Sequence, residues 1–169
     1  PGGPVIALRA TKFEGKNAKL KINFPRPMIN SKDYDFSFSG LKTSVLYKLR
    51  DLKEKKVKLT ANLINQMCHE AQQAIIDVLA KKTILAAKEF KVKSVMLSGG
   101  VSANKSLRIT LEKATEDLGV KYFQPPLEYT TDNAAMIALA GYFPPEGRNY
   151  LKNKKTDFKS VSVDANLTF

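Results

Sequence analysis

Apolar residues recur at helical spacing along much of the chain, and this pattern predicts several amphipathic helices. One helix is predicted over residues 40–52, and a longer helical segment runs from a cap at Thr60 to about Phe90. The longer segment contains neither Gly nor Pro, so it fits one long helix or two nearly collinear helices. A short apolar stretch over residues 5–10 predicts one or two helical turns after a Pro-Gly-Gly-Pro turn at residues 1–4.

The pattern changes after residue 90, where short apolar runs alternate with turns. Residues 94–98 and 120–123 are predicted to be strands, and the segment between them is predicted to be a helix. Ser102 is the predicted N-cap of that helix, and Gly119 is the predicted end. The order helix, strand, helix, strand, helix predicts an α/β layered domain.

Three further segments complete the expected organisation. A last helix is predicted from Asn133 to Phe143, with Thr131 or Asp132 as its cap. Residues 35–38 alternate polar and aromatic side chains, which predicts a short strand. Residues 11–32 are Lys-rich and contain two prolines, so they are expected to be irregular or edge structure.

Composition narrows the function classes. The 169 residues include 28 Lys and Arg, 16 Asp and Glu, one Cys and one His, giving a net charge of +12. A single Cys excludes an internal disulfide framework, and a single His excludes a multi-histidine metal site built by this chain alone. The excess positive charge lies in residues 1–58 and 148–169, whereas residues 59–147 are balanced. That clustering fits either a nucleic-acid partner or a Lys-rich, solvated surface.

The strongest local candidate for a binding site is residues 97–104, Leu-Ser-Gly-Gly-Val-Ser-Ala-Asn. A strand, a Gly-Gly turn and a helix start follow one another here, which suits close approach of a phosphate or ribose-phosphate. Asn104 offers both a donor and an acceptor to a sugar hydroxyl or base edge. A plain strand–helix turn without a ligand is the alternative.

Three other side chains have metal-ligating or nucleophilic chemistry. Asp132 lies at the start of the last predicted helix, where it acts either as a cap or as an oxygen ligand for a metal. Cys68 and His69 are neighbours in the long helix, so they point about 100° apart and do not form one site. Both are therefore interpreted as structural residues.

Five segments in sequence order resemble one known family. They are residues 1–4 (Pro-Gly-Gly-Pro), 24–28 (Phe-Pro-Arg-Pro-Met), 35–43 (Asp-Phe-Ser-Phe-Ser-Gly-Leu-Lys-Thr), 98–108 (Ser-Gly-Gly-Val-Ser-Ala-Asn-Lys-Ser-Leu-Arg) and 131–138 (Thr-Asp-Asn-Ala-Ala-Met-Ile-Ala). Together they resemble the C-terminal half of the TsaD family, formerly called Gcp and once described as O-sialoglycoprotein endopeptidases. The Phe-Ser-Phe-Ser-Gly-Leu-Lys form is similar to the bacterial or organellar branch.

The resemblance implies a fold and an activity. The fold is one lobe of the actin-like, sugar-kinase-like ATPase fold, an α/β lobe with a mixed sheet and flanking helices. The implied reaction is acyl transfer in tRNA processing: threonylcarbamoyl passes from threonylcarbamoyl-AMP to N6 of adenosine 37 in tRNAs that read codons starting with A. The expected location is the cytoplasm or an organellar matrix, with no membrane association.

The resemblance also implies roles for individual residues. Gly3, Gly99, Gly100 and Asn104 would line the adenylate pocket, with an adenine nucleotide in the cleft. Asp132 would be one ligand of a divalent metal, iron or zinc. The family's two other ligands are histidines of its N-terminal half that this chain does not contain. The chain by itself is therefore expected to be an inactive fragment.

Expected partners are tRNA, a TsaB-like paralogue and a TsaE-like ATPase. The candidate tRNA contacts are Arg26, Lys42, Lys48 and Arg50, each of which is equally compatible with an ordinary solvated surface.

The expected division is a lobe over residues 1–147 and a basic tail over 148–169. Within the lobe, residues 1–32 form an irregular basic segment and 33–147 form the α/β core. A non-catalytic adenine-nucleotide-binding module of the same fold is the alternative function. A metallopeptidase is disfavoured, because the sequence contains no His-Glu-x-x-His motif.

Overall fold

The computed structural model describes residues 2–15 and 20–142. The chain divides into two compact units, Pro1–Thr130 and Thr131–Phe169. The predicted tail over residues 148–169 and the predicted helix end at Phe143 both lie outside the described residues. No helix in the described part is long and apolar enough to cross a bilayer.

Five α-helices and two β-strands order the described residues. The first unit contains α1 (Gly2–Ala10), α2 (Ser39–Glu54), α3 (Ala61–Glu89), β1 (Ser94–Met96), α4 (Lys105–Leu118) and β2 (Lys121–Phe123). The second unit contains α5 (Ala134–Tyr142). This order confirms the α/β arrangement that the hydrophobic pattern predicts.

Helix α3 is continuous over 29 residues, so the chain uses one long helix where the sequence allowed one or two. Thr60 caps it as predicted, because its hydroxyl oxygen accepts the N–H of Leu63 at 3.3 Å. At 1.5 Å per residue the helix is about 44 Å long. Ala74 and Val78, near its middle, are completely buried.

Strands β1 and β2 form a parallel pair joined by α4. Ser94 pairs with Lys121, Val95 with Tyr122, and the Leu97 N–H donates to the Phe123 carbonyl at 2.9 Å. A helical crossover returns the chain to the same end of the sheet, which is what parallel pairing requires. The two described strands are parallel, so a mixed sheet is not what this part of the chain forms.

Two apolar clusters hold the first unit together, and both include residues of α3. The first joins α3 to α2 and to residues 22–24; its buried members are Ile22, Phe24, Leu41, Leu52, Leu63, Met67 and Ala74. The second joins α3 to α4; its buried members are Ile76, Ala80, Leu107 and Leu111. The described residues between 11 and 32 have no helix or strand, as predicted, but Ile22 and Phe24 enter the core.

Two predictions for residues 1–38 are wrong. Helix α1 begins at Gly2, so residues 2–4 are helical and not a turn. Pro4 fits there because the N–H groups of a first helical turn have no partner within the helix. Residues 35–38 form no strand, because no described strand lies beside them to supply the hydrogen bonds of a ladder.

A buried lysine of α3 holds the segment before α2. The side chain of Lys82 is only 1% exposed, and its ammonium donates to Ser31 Oγ at 2.7 Å and to Asp33 Oδ1 and O at 2.9 Å each. The same ammonium lies 5.9 Å from the Phe36 ring centroid. Desolvating a lysine is costly unless it is paired, and these three acceptors compensate that cost.

An arginine ties the preceding residues to the same helix. Arg26 Nε donates to Asp77 Oδ2 at 3.0 Å, and Nη1 donates to Asn23 Oδ1 at 2.8 Å and to the Phe24 carbonyl at 2.7 Å. Glu70 Oε2 lies 3.9 Å from Nη2. The guanidinium therefore joins residues 23–26 to α3.

The Lys82–Asp33 contact makes stability depend on pH. The hydrogen bond from Lys82 holds the pKa of Asp33 below its ordinary value of 3.8, and Ser31 adds to that effect. A lowered folded-state pKa gives stability that is complete above the unfolded-state pKa and is lost as pH falls through the folded-state pKa. We predict that Asp33→Asn flattens the fall in unfolding free energy between about pH 5 and pH 2.

Urea unfolding at several pH values measures this effect. Asp35→Asn is the matched control, because no described cation forms an ion pair with that carboxylate. The same acid dependence in wild type and Asp33→Asn would contradict the assignment.

Candidate functional site

The loop between β1 and α4 is shaped by one glycine that no other residue can replace easily. Gly99 has φ 79° and ψ 173°, a backbone conformation that is essentially restricted to glycine. Residues Gly100–Ala103 then form one turn of 3₁₀-helix, in which the Ser102 N–H donates to the Gly99 carbonyl at 2.9 Å. Gly99 thus sets the direction in which the chain leaves the sheet.

Gly100 has no such conformational requirement. A Cβ placed on Gly100 would meet no described atom within 4 Å, and the same is true of Gly99. Packing within the described residues therefore does not explain a glycine at position 100. The space beside the Gly-Gly turn is open, as close approach of a ligand to the backbone would need.

Asn104, and not Ser102, caps helix α4. Asn104 Oδ1 accepts the N–H of Leu107 at 3.0 Å, whereas Ser102 lies within the 3₁₀ turn. The Ser102 prediction is wrong because the extra 3₁₀ turn moves the helix start to Lys105. Asparagine and serine are both good caps, so the sequence pattern alone does not distinguish them.

The Asn104 side chain has a second partner on α3. Its Nδ2 donates to Gln72 Oε1 at 2.8 Å, and Gln72 Nε2 donates to Ser106 Oγ at 3.3 Å. A side-chain amide has two N–H donors and two oxygen lone pairs. The described residues use one of each, so Asn104 retains one donor and one acceptor for a ligand.

Arg108 fixes the same loop from the other side. Its Nε donates to the Ser102 carbonyl, and its Nη2 donates to the Pro125 carbonyl at 2.9 Å. The guanidinium therefore links the 3₁₀ turn to the chain that leaves β2. Sequence reasoning missed this role, because an arginine in a helix carries no signal for carbonyls that only the fold brings near.

Gly3 lies in the first turn of α1, where it is exposed. No described atom lies within 4 Å of a Cβ placed on Gly3, so packing does not require glycine there either. Glycine in a helix costs roughly 0.5–1 kcal/mol relative to alanine. Both α1 and α4 pack against α3.

Asp132 belongs to the second unit and is exposed. Neither Asp132 nor Thr131 caps α5, since Asn133 Oδ1 accepts the N–H of Met136 at 2.9 Å. No group of three His, Cys, Asp or Glu side chains among residues 2–15 and 20–142 could hold a metal. Asp132 therefore belongs to no three-ligand group of described side chains.

The remaining candidates for acid–base or nucleophilic chemistry are structural. Burial raises the pKa of the Cys68 thiol, although the charge of Arg9 opposes the shift, so the thiol stays protonated at neutral pH. The His69 ring packs against Phe13 with ring centroids 5.3 Å apart.

The four predicted tRNA contacts differ in how available they are. Arg26 is occupied by the internal bonds described above, and Lys48 is 3.8 Å from Asp51 Oδ2. Lys42 and Arg50 are exposed on α2 and form no ion pair with a described residue. The Arg50 guanidinium lies 6.0 Å from the ring centroid of Tyr47, which is itself exposed.

A groove runs beside this surface of α2. It has a volume of about 490 Å³, and its lining combines two lysines, two aromatic rings, two small polar side chains and one carboxylate: Lys21, Lys48, Phe24, Tyr47, Asn23, Ser44 and Asp51. Cations beside an exposed aromatic ring are features of surfaces that bind single-stranded nucleic acid.

The buried hydroxyl of Ser102 gives a stability test of the loop. Ser102 is 0% exposed, and its Oγ has no hydrogen-bond partner among the described residues. Removing an unpaired buried hydroxyl also removes its desolvation penalty. We predict that Ser102→Ala leaves the unfolding free energy unchanged or raises it by up to about 1 kcal/mol.

Thr115→Val is the matched control, since Thr115 is equally buried but its Oγ1 donates to the carbonyls of Leu111 and Glu112 at 2.8 Å. It should lower the unfolding free energy by about 1 kcal/mol. Urea denaturation measures both changes, and a larger loss for Ser102→Ala than for Thr115→Val would contradict the description of the loop.

Comparison with known proteins shows the family to which this chain belongs. The family model described as "TsaD: tRNA N6-adenosine threonylcarbamoyltransferase" matches residues 1–139. Proteins named tRNA N6-adenosine threonylcarbamoyltransferase from Thermosipho africanus and Francisella tularensis are 45% identical over 142 residues and 44% identical over 165 residues. These alignments cover 84% and 98% of this chain, but only 40% and 46% of the relatives. The chain thus spans less than half the length of these relatives, and it belongs to the TsaD family.

Proposed function

We propose that this chain supplies the adenylate-binding part of a tRNA N6-adenosine threonylcarbamoyltransferase. The observation that carries the proposal is the Gly99–Asn104 loop, which lies within the region that matches the family. Its open Gly-Gly turn, the unused capacity of Asn104 and the start of α4 together suit an adenine nucleotide. Gly3 is proposed to border the same nucleotide.

The proposed architecture is one lobe of an actin-like ATPase fold. The β1–α4–β2 unit supports this assignment, because nucleotides in open α/β sheets bind at the carboxyl ends of parallel strands. The Gly-Gly turn directly follows the carboxyl end of β1. The opposite lobe would come from sequence beyond the part of the relatives that this chain spans.

The proposed reaction is an acyl transfer from threonylcarbamoyl-AMP. The N6 amine of adenosine 37 attacks the carbamoyl carbon, and a new N–C bond forms while the bond from that carbon to the phosphate oxygen breaks. The bonding pair leaves with AMP, and the N6 proton goes to water. In this reaction the loop binds and orients the adenylate, with helix α4 presenting its positive end to negative charge.

The proposal includes a divalent metal, iron or zinc, for which Asp132 is the one ligand proposed from this chain. When bound, it would act as a Lewis acid toward a carbonyl or phosphoryl oxygen. Asp132 would contribute one carboxylate, and the remaining ligands would be the two histidines that the family resemblance places outside this chain.

The tRNA would approach over helix α2. Lys42 and Arg50 have charges that no described residue neutralises, and Tyr47 offers a ring for stacking beside the groove. Arg26 is left out of this surface, because its guanidinium is committed to Asp77 and to residues 23–24. A TsaB-like paralogue, a TsaE-like ATPase and a cytoplasmic or organellar-matrix location complete the proposal.

A second function is favoured by one observation. The Gly99–Asn104 loop suits a nucleotide without any metal, so a non-catalytic module of the same fold would bind an adenine nucleotide without transferring an acyl group, even in the full-length protein.

Radiolabelled threonylcarbamoyl transfer to tRNA separates the two functions. We predict no transfer by the chain alone, and transfer by the full-length protein with its partners present. Asn104→Asp should reduce that transfer at least tenfold, because aspartate keeps the α4 cap but loses the N–H donor. Transfer by the isolated chain would contradict the proposed dependence on the second lobe, and AMP binding without transfer by the full-length protein would favour the second function.

The proposed tRNA surface is tested by charge reversal. Lys42→Glu combined with Arg50→Glu should weaken tRNA binding. The slope of log Kd against the logarithm of the salt concentration should fall by about two, since each lost phosphate contact removes about one released counterion. Lys113→Glu on α4 is the matched control, because Lys113 is equally exposed but lies on another helix. Filter-binding titrations from about 50 to 200 mM salt measure both values. Equal losses for the two variants would contradict a specific role of α2.

A further inference from the structure

A directional chain of hydrogen bonds joins the main chain of α4 to helix α3. The Leu107 N–H donates to Asn104 Oδ1 at 3.0 Å, and Asn104 Nδ2 donates to Gln72 Oε1 at 2.8 Å. Gln72 Nε2 then donates to Ser106 Oγ at 3.3 Å. The two contacts of Gln72 are not evident from the sequence, because Gln72 lies 32 positions from Asn104 and 34 from Ser106.

The direction of this chain follows from its first member. A main-chain N–H is only a donor, so the atom of the Asn104 side chain that faces Leu107 must be the oxygen. The nitrogen of Asn104 then faces Gln72, which must present its own oxygen, and Gln72 Nε2 is left to donate to Ser106. Each amide is therefore fixed in one of its two orientations.

The position of Gln72 makes this orientation rigid. Gln72 is only 9% exposed and lies on α3 two residues before the fully buried Ala74. A buried amide that turned away would leave its own polar atoms without partners, which is unfavourable, and would take the acceptor away from Asn104 Nδ2. Gln72 thus holds Asn104 from a helix that both apolar clusters fix in place.

We propose that Gln72 is a positioning residue for the adenylate site. By accepting one N–H of Asn104, it keeps the other N–H and the second oxygen lone pair available to an adenine nucleotide in a single fixed geometry. The ligand group that fits this pair is one that both accepts and donates, such as a ribose hydroxyl. This inference rests on the proposed function, in which Asn104 contacts the adenylate.

The test is AMP affinity of the full-length protein, measured by isothermal titration calorimetry. Gln72→Leu should weaken AMP binding about tenfold, because Asn104 loses its fixed orientation. Gln72→Glu should restore affinity to within about threefold, since a carboxyl oxygen opposite Nδ2 still accepts its hydrogen bond. If Gln72→Leu does not fold, Gln72→Met makes the same deletion with an unbranched side chain.

Gln73→Leu is the matched control. Gln73 is the next residue on α3, and its Nε2 donates to Asp77 Oδ1 at 2.7 Å, so the variant removes a hydrogen bond of α3 that does not reach Asn104. Its AMP affinity should stay within about twofold of wild type. The side-chain NH₂ signals of Asn104 in ¹⁵N spectra should shift in Gln72→Leu and not in Gln73→Leu, which a general loss of stability would not produce.

Three outcomes distinguish the positioning role of Gln72 from the proposed function on which it rests. Wild-type AMP affinity in Gln72→Leu, together with weakened binding in Asn104→Asp, would overturn the role of Gln72 and leave the proposed function standing. Wild-type affinity in Asn104→Asp would overturn the proposed function itself. A further loss when Gln72→Leu is added to Asn104→Ala would also overturn the inference, because a residue that acts only through Asn104 has no effect once that side chain is gone.

Discussion

The continuous helix α3 is the constraint on which the rest of the first unit depends. One region of it packs against α2 and residues 22–24, and another packs against α4. Its side chain Gln72 reaches the loop before α4, whereas Asp77 and Lys82 both reach the irregular segment before α2. A break in α3 would therefore separate the two apolar clusters and release both segments.

The candidate nucleotide loop, Gly99–Asn104, is held in one conformation partly by α3. Gly99 turns the chain out of the sheet, and Arg108 holds the 3₁₀ turn through main-chain carbonyls. Asn104 caps α4, while Gln72 holds the other end of its side-chain amide. A loop fixed from both sides loses little conformational entropy when a ligand binds, which favours affinity.

The positive charge of the chain has more than one use. Arg26 and Lys82 have the same charge as the exposed cations of α2, yet both are bound to acceptors within the protein. Lys42 and Arg50 remain exposed on α2, and the Arg50 guanidinium lies beside the Tyr47 ring. The net charge of +12 therefore overstates what is available to a polyanion, and the surface of α2 is the part that fits one.

The sequence predicts the helices well, because their apolar periodicity arises from the same cores that bury them. The α3 cap at Thr60 and the end of α4 at Gly119 follow from local chemistry and are confirmed. Ser102 and Asn104 are both good caps, so only the 3₁₀ turn of the folded chain decides between them.

Contacts between distant positions were not predictable in the same way. Lys82 meets Asp33 across 49 positions and Arg26 meets Asp77 across 51, and no spacing rule connects such pairs. The roles of Asp132 and Gly3 come from family resemblance, and no described contact tests them. The sequence pattern places Asn104 near a helix start, but it gives no indication that Gln72 contacts Asn104.

A crystal structure of the full-length protein with bound AMP would show directly which residues hold the nucleotide. We expect the nucleotide to hydrogen-bond to the side-chain amide of Asn104 beside the Gly99–Gly100 turn, while Asn104 Nδ2 still donates to Gln72 Oε1. AMP bound elsewhere, or bound with the Asn104 amide turned away from Gln72, would contradict this expectation.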